Sequence, residues 1–245
     1  MRFALALALA GCATEAQLPV DASAPPVPMT LWVSSVSHGQ AMQVVVRGAD
    51  PNDRVWIGAS LAGTGAGPCP ASLGGQCLDI RGPTLIGAIN TDASGNGQLR
   101  LTVPSTLPAG DVWFQAAVGN GAASHVSNVV ERPVYTQPVL PIEFCDASQL
   151  PDDPVFLNSL SVSGSLMDID IGYSGGCADH DFRVCWDGIA LTSFPQQIGL
   201  DLSHDANGDL CEAFFDVTMQ VDLSSIVGTT PTVVSMLGDS VTYTP

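Results

Sequence analysis

The 245 residues carry 24 acidic side chains against seven arginines and no lysine, for a formal net charge of -17. So sparse a cationic complement excludes a polybasic footprint for nucleic acid or anionic lipid headgroups. The charge is also uneven. Eight acidic residues stand against five arginines between Cys12 and Val139, and sixteen stand against Arg183 alone between Leu140 and Pro245. Self-repulsion on that scale opposes compaction of the second half, so cations, disulfides or a partner must help hold it.

The chain opens with Met1 and Arg2, an apolar run from Phe3 to Ala10, and then Gly11 and Cys12. A charged start, a short apolar core and small residues at the cut describe an export signal. The tetrapeptide Leu9, Ala10, Gly11, Cys12 resembles a bacterial lipobox. That resemblance implies cleavage after residue 11 and acylation of Cys12, palmitate included, with an ordinary cleaved signal as the rival. More than one acyl chain is what stable anchoring requires, whereas the apolar run is far short of the about 20 residues of a spanning helix. Residues 1–11 are thus expected to be a lipoprotein signal peptide. Ala13 after the cysteine resembles lipoproteins routed outward, which implies the outer membrane, on its periplasmic or surface-exposed face. Residues 12–28, with Pro25, Pro26 and Pro28 among alanine, serine and acidic residues, read as a disordered spacer.

Six cysteines remain after Cys12: Cys69, Cys77, Cys145, Cys177, Cys185 and Cys211. An even remainder in an exported chain reads as three disulfides, and the spacings lack the paired doublets of a zinc site.

Residues 29–132 show short alternating runs broken by glycine, proline and aspartate, the pattern of an antiparallel β-sandwich. Strands are expected near 30–37, 42–48, 54–61, 83–90, 98–103, 111–119 and 124–130. Seven strands in about 100 residues suit an immunoglobulin-like sandwich. Asp92, Gly95 and Gly97 mark the turn before the clearest strand, where Leu99, Leu101 and Val103 share one face. The sequence Gly67, Pro68, Cys69, Pro70, with Leu73, Gly74, Gly75, Cys77, Leu78 and Asp79, resembles a module of exported bacterial proteins with no assigned activity. A Cys69 to Cys77 bridge there closes nine residues, and is worth roughly 2.5 kcal/mol at best on a loop-entropy model.

Residues 133–142 carry Pro133, Pro138 and Pro141 without a period and read as a linker. Residues 143–245 are expected to form an acidic, disulfide-stabilised β-sandwich, making the whole chain all-β. Its strands are placed near 155–163, 166–173, 181–187, 197–203, 210–223, 231–235 and 240–243. Tyr173, Gly175, Gly176, Cys177, His180 and Phe182, then Leu202, His204, Asp205, Gly208, Asp209, Cys211 and Glu212, and finally Asp222 and Leu223, resemble uncharacterised bacterial surface lipoproteins. That resemblance implies that Cys177 pairs with Cys211, leaving Cys145 for Cys185. Strand parity independently agrees. Cys185 points away from the face of Phe182, Val184 and Trp186, while Cys211 lies on a core face with Phe215, Val217 and Met219, and a disulfide needs converging Cβ vectors.

Two constellations bear on chemistry. Asp205, Asn207 and Asp209 alternate as the oxygen ligands of a calcium loop do, with Asp216 at the twelfth place, but Leu210 stands where the loop needs glycine. Asn207 and Gly208 also read as a plain two-residue hairpin turn. His180 and His204, brought together by a Cys177 to Cys211 bridge, would offer imidazoles among carboxylates to a transition metal that activates water. Ser203, His204 and Asp205 are adjacent on one strand, point alternately and make no triad. Asp168 and Asp170 read as a solvated face rather than a glycosidase pair.

The leading expectation is a non-catalytic, membrane-anchored surface lipoprotein serving adhesion, envelope assembly or ligand capture. Its partners would be the membrane, through the lipid, and an envelope or surface protein, with Phe214 as a candidate contact. No cofactor is expected, calcium at Asp205, Asn207 and Asp209 being the exception the pattern admits. The alternative is a metal-dependent hydrolase centred on His180 and His204.

Overall fold

The computed structural model describes residues 28–245. The expected signal peptide, the Cys12 lipidation site and the spacer up to residue 27 lie outside the described residues. Within them the chain is all-β, with nineteen strands, four short 3-10 turns and no α-helix; no helix is long and apolar enough to cross a membrane.

In the first half, alternation at period two folds as it reads. Thr30–Val33, Ala41–Arg47 and Gly97–Thr102 form a three-stranded sheet. Its inward side chains, among them Leu31, Val33, Val44 and Val46, meet Val55, Ile57, Val112, Phe114, Ala116 and Val118 from a second sheet. That sheet runs in the order Val36–Ser37, Val130–Tyr135, Gly110–Val118, Arg54–Ser60, Thr84–Asn90, with His125–Val126 laid on Gly110–Val118. The glycine-rich stretch from Gly63 to Gly67 is zipped onto Leu78–Arg81 by three backbone hydrogen bonds, and a Cβ at Gly67 would strike the Leu78 and Ile80 carbonyls. Cys69 and Cys77 are bonded within this loop.

The first unit extends beyond the expected boundary at 132. Val130–Tyr135 is a strand, paired with Gly110–Val118 and in parallel with Val36–Ser37. Pro133 sits inside it, beyond the two residues that pair on the parallel side, and proline is tolerated in a strand where its missing N–H has no ladder partner. The linker also ends early, because Ile142–Phe144 is a strand paired in parallel with Asp181–Trp186. The connection thus shrinks to 136–141.

The second half holds three sheets. One is ordered Ile142–Phe144, Asp181–Trp186, Asp201–Asp205; one Phe156–Ser163, Leu166–Gly175, Ala213–Asp222; and one Ala190–Leu191, Gln196–Gly199, Thr232–Met236, Asp239–Tyr243. They enclose Ile142, Met167, Ile169, Ile171, Val184, Ile198, Val221 and Leu223. Antiparallel pairing does not hold throughout, since three strand pairs are parallel. The remaining disulfides join Cys145 to Cys185 and Cys177 to Cys211, with Cα separations of 5.4 and 5.9 Å. Cys185 does oppose Val184 but is fully buried rather than outward, because its face is covered by the first half of the chain.

That cover is specific. Trp32 donates its indole N–H to the Ser225 carbonyl at 2.8 Å and meets the Phe144 ring edge-on at 4.5 Å. The Gln43 amide accepts from Phe144 N–H at 2.7 Å and donates to the Phe144 carbonyl at 3.2 Å, acting as a mock strand on Ile142–Phe144. Glu143, buried at 2 % exposure, accepts from Arg183 Nη2 at 2.6 Å and from Arg100 Nη2. Arg100 belongs to the first half and Arg183 to the second, so one carboxylate ties the two together.

Candidate functional site

The predicted histidines do meet. In the pairing of Asp181–Trp186 with Asp201–Asp205, Phe182 stands opposite His204. The Phe182 ring stacks on the His204 ring at 4.7 Å and 4°, and His180 lies one step beyond the pair. Its Nδ1 is 2.7 Å from His204 Nε2. Tyr173 covers both rings, with centroids at 4.7 and 5.5 Å. His204 is 2 % exposed and the His180 side chain 3 %.

The far ends of this pair are both acceptors. His204 Nδ1 lies 3.2 Å from the Asp153 carbonyl, and His180 Nε2 lies 3.3 Å from Asp209 Oδ2. A carbonyl and a carboxylate donate nothing, so each outer nitrogen is the donor in its bond, and the two inner nitrogens share the contact between the rings.

Asp209 is held by a loop that the sequence makes unusually open. Gly175 lacks the Cβ that would collide with His180 Nε2, and Gly176 adopts φ +121°. The N–H groups of Gly176, Cys177 and Ala178 then converge on Asp209 Oδ2 at 2.7, 2.8 and 3.0 Å, while Cys211 N–H donates to Oδ1 at 2.8 Å. Backbone N–H groups arrayed in this way form an anion cradle. Led by the Cys211 N–H and then that of Cys177, these bonds hold the Asp209 carboxyl well below the usual carboxylate range against the opposing effect of desolvation. The Cys177 to Cys211 disulfide fastens the same two loops.

These contacts settle where the sequence-predicted ligands stand. Asn207 and Gly208 have φ of +51° and +73°, and Asp209 N–H bonds the Ala206 carbonyl at 2.9 Å, which makes the expected primed turn. It is not a hairpin turn, because Asp201–Asp205 and Ala213–Asp222 belong to different sheets. The Asn207 amide donates to the Asp179 carbonyl and to Asp181, Asp205 accepts from Asn207 N–H, and Asp209 faces the cradle. The expected calcium ligands Asp205, Asn207 and Asp209 are therefore not assembled around a common centre. Each ring nitrogen of His180 and His204 has a hydrogen-bond partner, the inner two being each other's. Cys177, Cys211 and Asp209 do cluster within 4.8 Å, but disulfide sulfurs are not the thiolates a metal binds.

Ser203 donates to the Pro151 carbonyl at 2.8 Å, away from any imidazole. Asp168 and Asp170 lie half-buried on the outer face of their sheet, Asp168 accepting from Gln220. Sequence reasoning missed Asp153, whose carboxylate accepts from Ala206 N–H at 2.8 Å while its carbonyl caps His204. It also missed Glu143. The signal for Glu143 was present in a single carboxylate between Ile142 and Phe144, whose burial demands a cationic partner.

No protein-family model matches the chain, and no curated protein matches it. Among solved structures it is similar to a NigD-like immunity protein from Bacteroides caccae, at 11% identity and a TM-score of 0.33, over 91% of this chain and 94% of that one. It is also similar to a protein of unknown function from Bacteroides vulgatus, at 10% identity and a TM-score of 0.30, over 88% and 89% of the two chains. Agreement at that level transfers neither topology nor activity.

Proposed function

We propose that the chain is a non-catalytic lipoprotein of the bacterial outer membrane, tethered by an acylated Cys12 and carrying two β-sandwich units, the first immunoglobulin-like. It presents a binding module for adhesion, envelope assembly or ligand capture. The observation that carries this reading is the fate of the polar centre. Among the described residues His180, His204 and Asp209 come together in the second half, and their polar atoms are engaged in bonds that hold loops. The three disulfides suit an exported address, and the acidic, lysine-free composition suits a partner other than nucleic acid.

Cell fractionation tests the address. Wild-type protein is expected in the outer-membrane fraction and a Cys12→Ser variant in the soluble fraction; equal partition of the two contradicts the tether. Activity is tested separately. Adding zinc to the purified protein is expected to leave its melting temperature unchanged, and a saturable rise that His180→Ala with His204→Ala abolishes, together with a metal-dependent activity lost in the same variant, contradicts the non-catalytic reading.

A further inference from the structure

Among the described residues the second half leaves most of one strand edge open. Ala213–Asp222 is the last strand of its sheet, paired to Leu166–Gly175 on one side only. At its far end the Leu140 N–H bonds the Gln220 carbonyl at 2.8 Å, in a parallel bridge to Val221. The Gln220 backbone therefore points toward the open side. Alternation along a strand then turns the N–H and C=O of Phe214, Asp216 and Thr218 the same way, and none of the three has a partner there among the described residues. Edges are ordinarily guarded by charges, lysine above all, by proline or by a bulge. The segment from Ala213 to Met219 has no lysine, proline or bulge, and its one charge is Asp216.

Around this edge the surface is built for contact. Phe156 and Phe214 are 60 % and 59 % exposed, with ring centroids 6.5 Å apart over Gly172, whose missing Cβ makes room for the Phe214 ring. A cleft of about 650 Å³ opens beside the strand, lined in part by Gln137, Pro138, Asp181, Phe182, Thr218 and Met219. The carboxylates dominate. Asp168, Asp170 and Asp216 share the outer face of the sheet and Asp181 lines the cleft, as does the buried ring of His180, while the half's only arginine, Arg183, is engaged by Glu143.

We infer that this edge is a docking site for an extended, cationic segment of another protein, which adds as a strand beside Phe214, Asp216 and Thr218. Main-chain hydrogen bonds would supply affinity, and alternating side chains would meet the phenylalanines and the carboxylates. The inference rests on the proposed binding-module role and names the chemistry of its partner. The Leu140 segment already uses the end of the same edge, so the occupant extends a pairing the chain has begun.

The test uses the mature chain with its disulfides formed and a fluorescein-labelled peptide of alternating lysine and valine, with a matched glutamate-valine peptide as control. The lysine peptide is expected to bind saturably by anisotropy and to slow hydrogen exchange at the Phe214, Asp216 and Thr218 amides. The glutamate peptide is expected to bind at least tenfold more weakly. Thr218→Pro, which removes an outward N–H, and Asp216→Lys, which keeps the backbone intact, should each weaken the lysine peptide at least tenfold. Absence of saturation, binding without protection of those amides, or indifference to Asp216→Lys overturns the proposal. Self-association in sedimentation velocity that Asp216→Lys abolishes would assign the edge to a second copy and equally overturn it. Membrane partition is untouched by any of these results, so failure here and failure of the tether are told apart.

Discussion

Replacing Glu143 by alanine tests whether one carboxylate couples the two halves. Its side chain is 3 % exposed and accepts from Arg100 and Arg183, whose side chains are 45 % and 36 % exposed. Breaking a buried ion pair costs about 3–5 kcal/mol. Water reaches both arginines and recovers part of that, so the expected loss is about 2 kcal/mol, or roughly 4–8 °C in melting temperature for a chain of this size. Arg183 Nε is already buried without a hydrogen-bond partner, so that guanidinium has little else to lean on. Glu143→Gln, which keeps shape and loses charge, should fall between the variant and the wild type. Scanning calorimetry reads both the magnitude and the coupling: a single wild-type transition should split into two in Glu143→Ala. A loss under about 0.5 kcal/mol with one transition preserved would refute the reasoning, since surface pairs are worth that little.

Removing the Cys145 to Cys185 bridge, which spans a separation of 40 residues, should cost roughly 4 kcal/mol, and removing Cys69 to Cys77 roughly 2.5 kcal/mol, on the loop-entropy model; urea denaturation of the paired alanine variants checks the order. Gly175→Ala pushes a methyl into His180 Nε2 and should cost about 1–3 kcal/mol by overpacking, visible as an earlier urea midpoint. Asp209 has its carboxyl held low, so the stability it contributes is present above the ordinary carboxylate value and is lost as pH falls toward the folded one. Asp209→Asn should therefore melt earlier than wild type at pH 7, and the gap should narrow in acid. Tyr135 is pushed up to about 12 by burial first and by Asp222 second. Its contribution is complete below about 10 and is lost as pH rises toward 12, so Tyr135→Phe should flatten the alkaline limb of melting temperature against pH.

Most of the fold is legible because the strands are long enough to show their period. Gly97–Thr102, with Leu99 and Leu101 inward, and Leu166–Gly175, with Met167, Ile169 and Ile171 inward, form where alternation puts them. Ile142–Phe144 escapes because three residues beside Pro141 carry no period and their partner lies some 40 residues away in a parallel pairing. The same distance effect hides the fate of Asn207 and Gly208. Local chemistry fixes the turn, but only tertiary packing decides that its flanking strands join different sheets. In the site, the meeting of His180 and His204 follows from the Cys177 to Cys211 disulfide and the strand register. What cannot be read from residue types is that Asp209 turns toward the N–H groups of residues 176–178, because that cradle is made of backbone and depends on a positive φ at Gly176.

The central claim is that this polar centre is spent on holding loops together. The most direct measurement is nitrogen NMR of the labelled histidine rings in the folded protein, before and after equimolar zinc. A scalar coupling between His180 Nδ1 and His204 Nε2, with no ring nitrogen moved by the metal, is the result expected. Absence of that coupling, together with ring nitrogens that shift saturably on zinc addition, would contradict the claim.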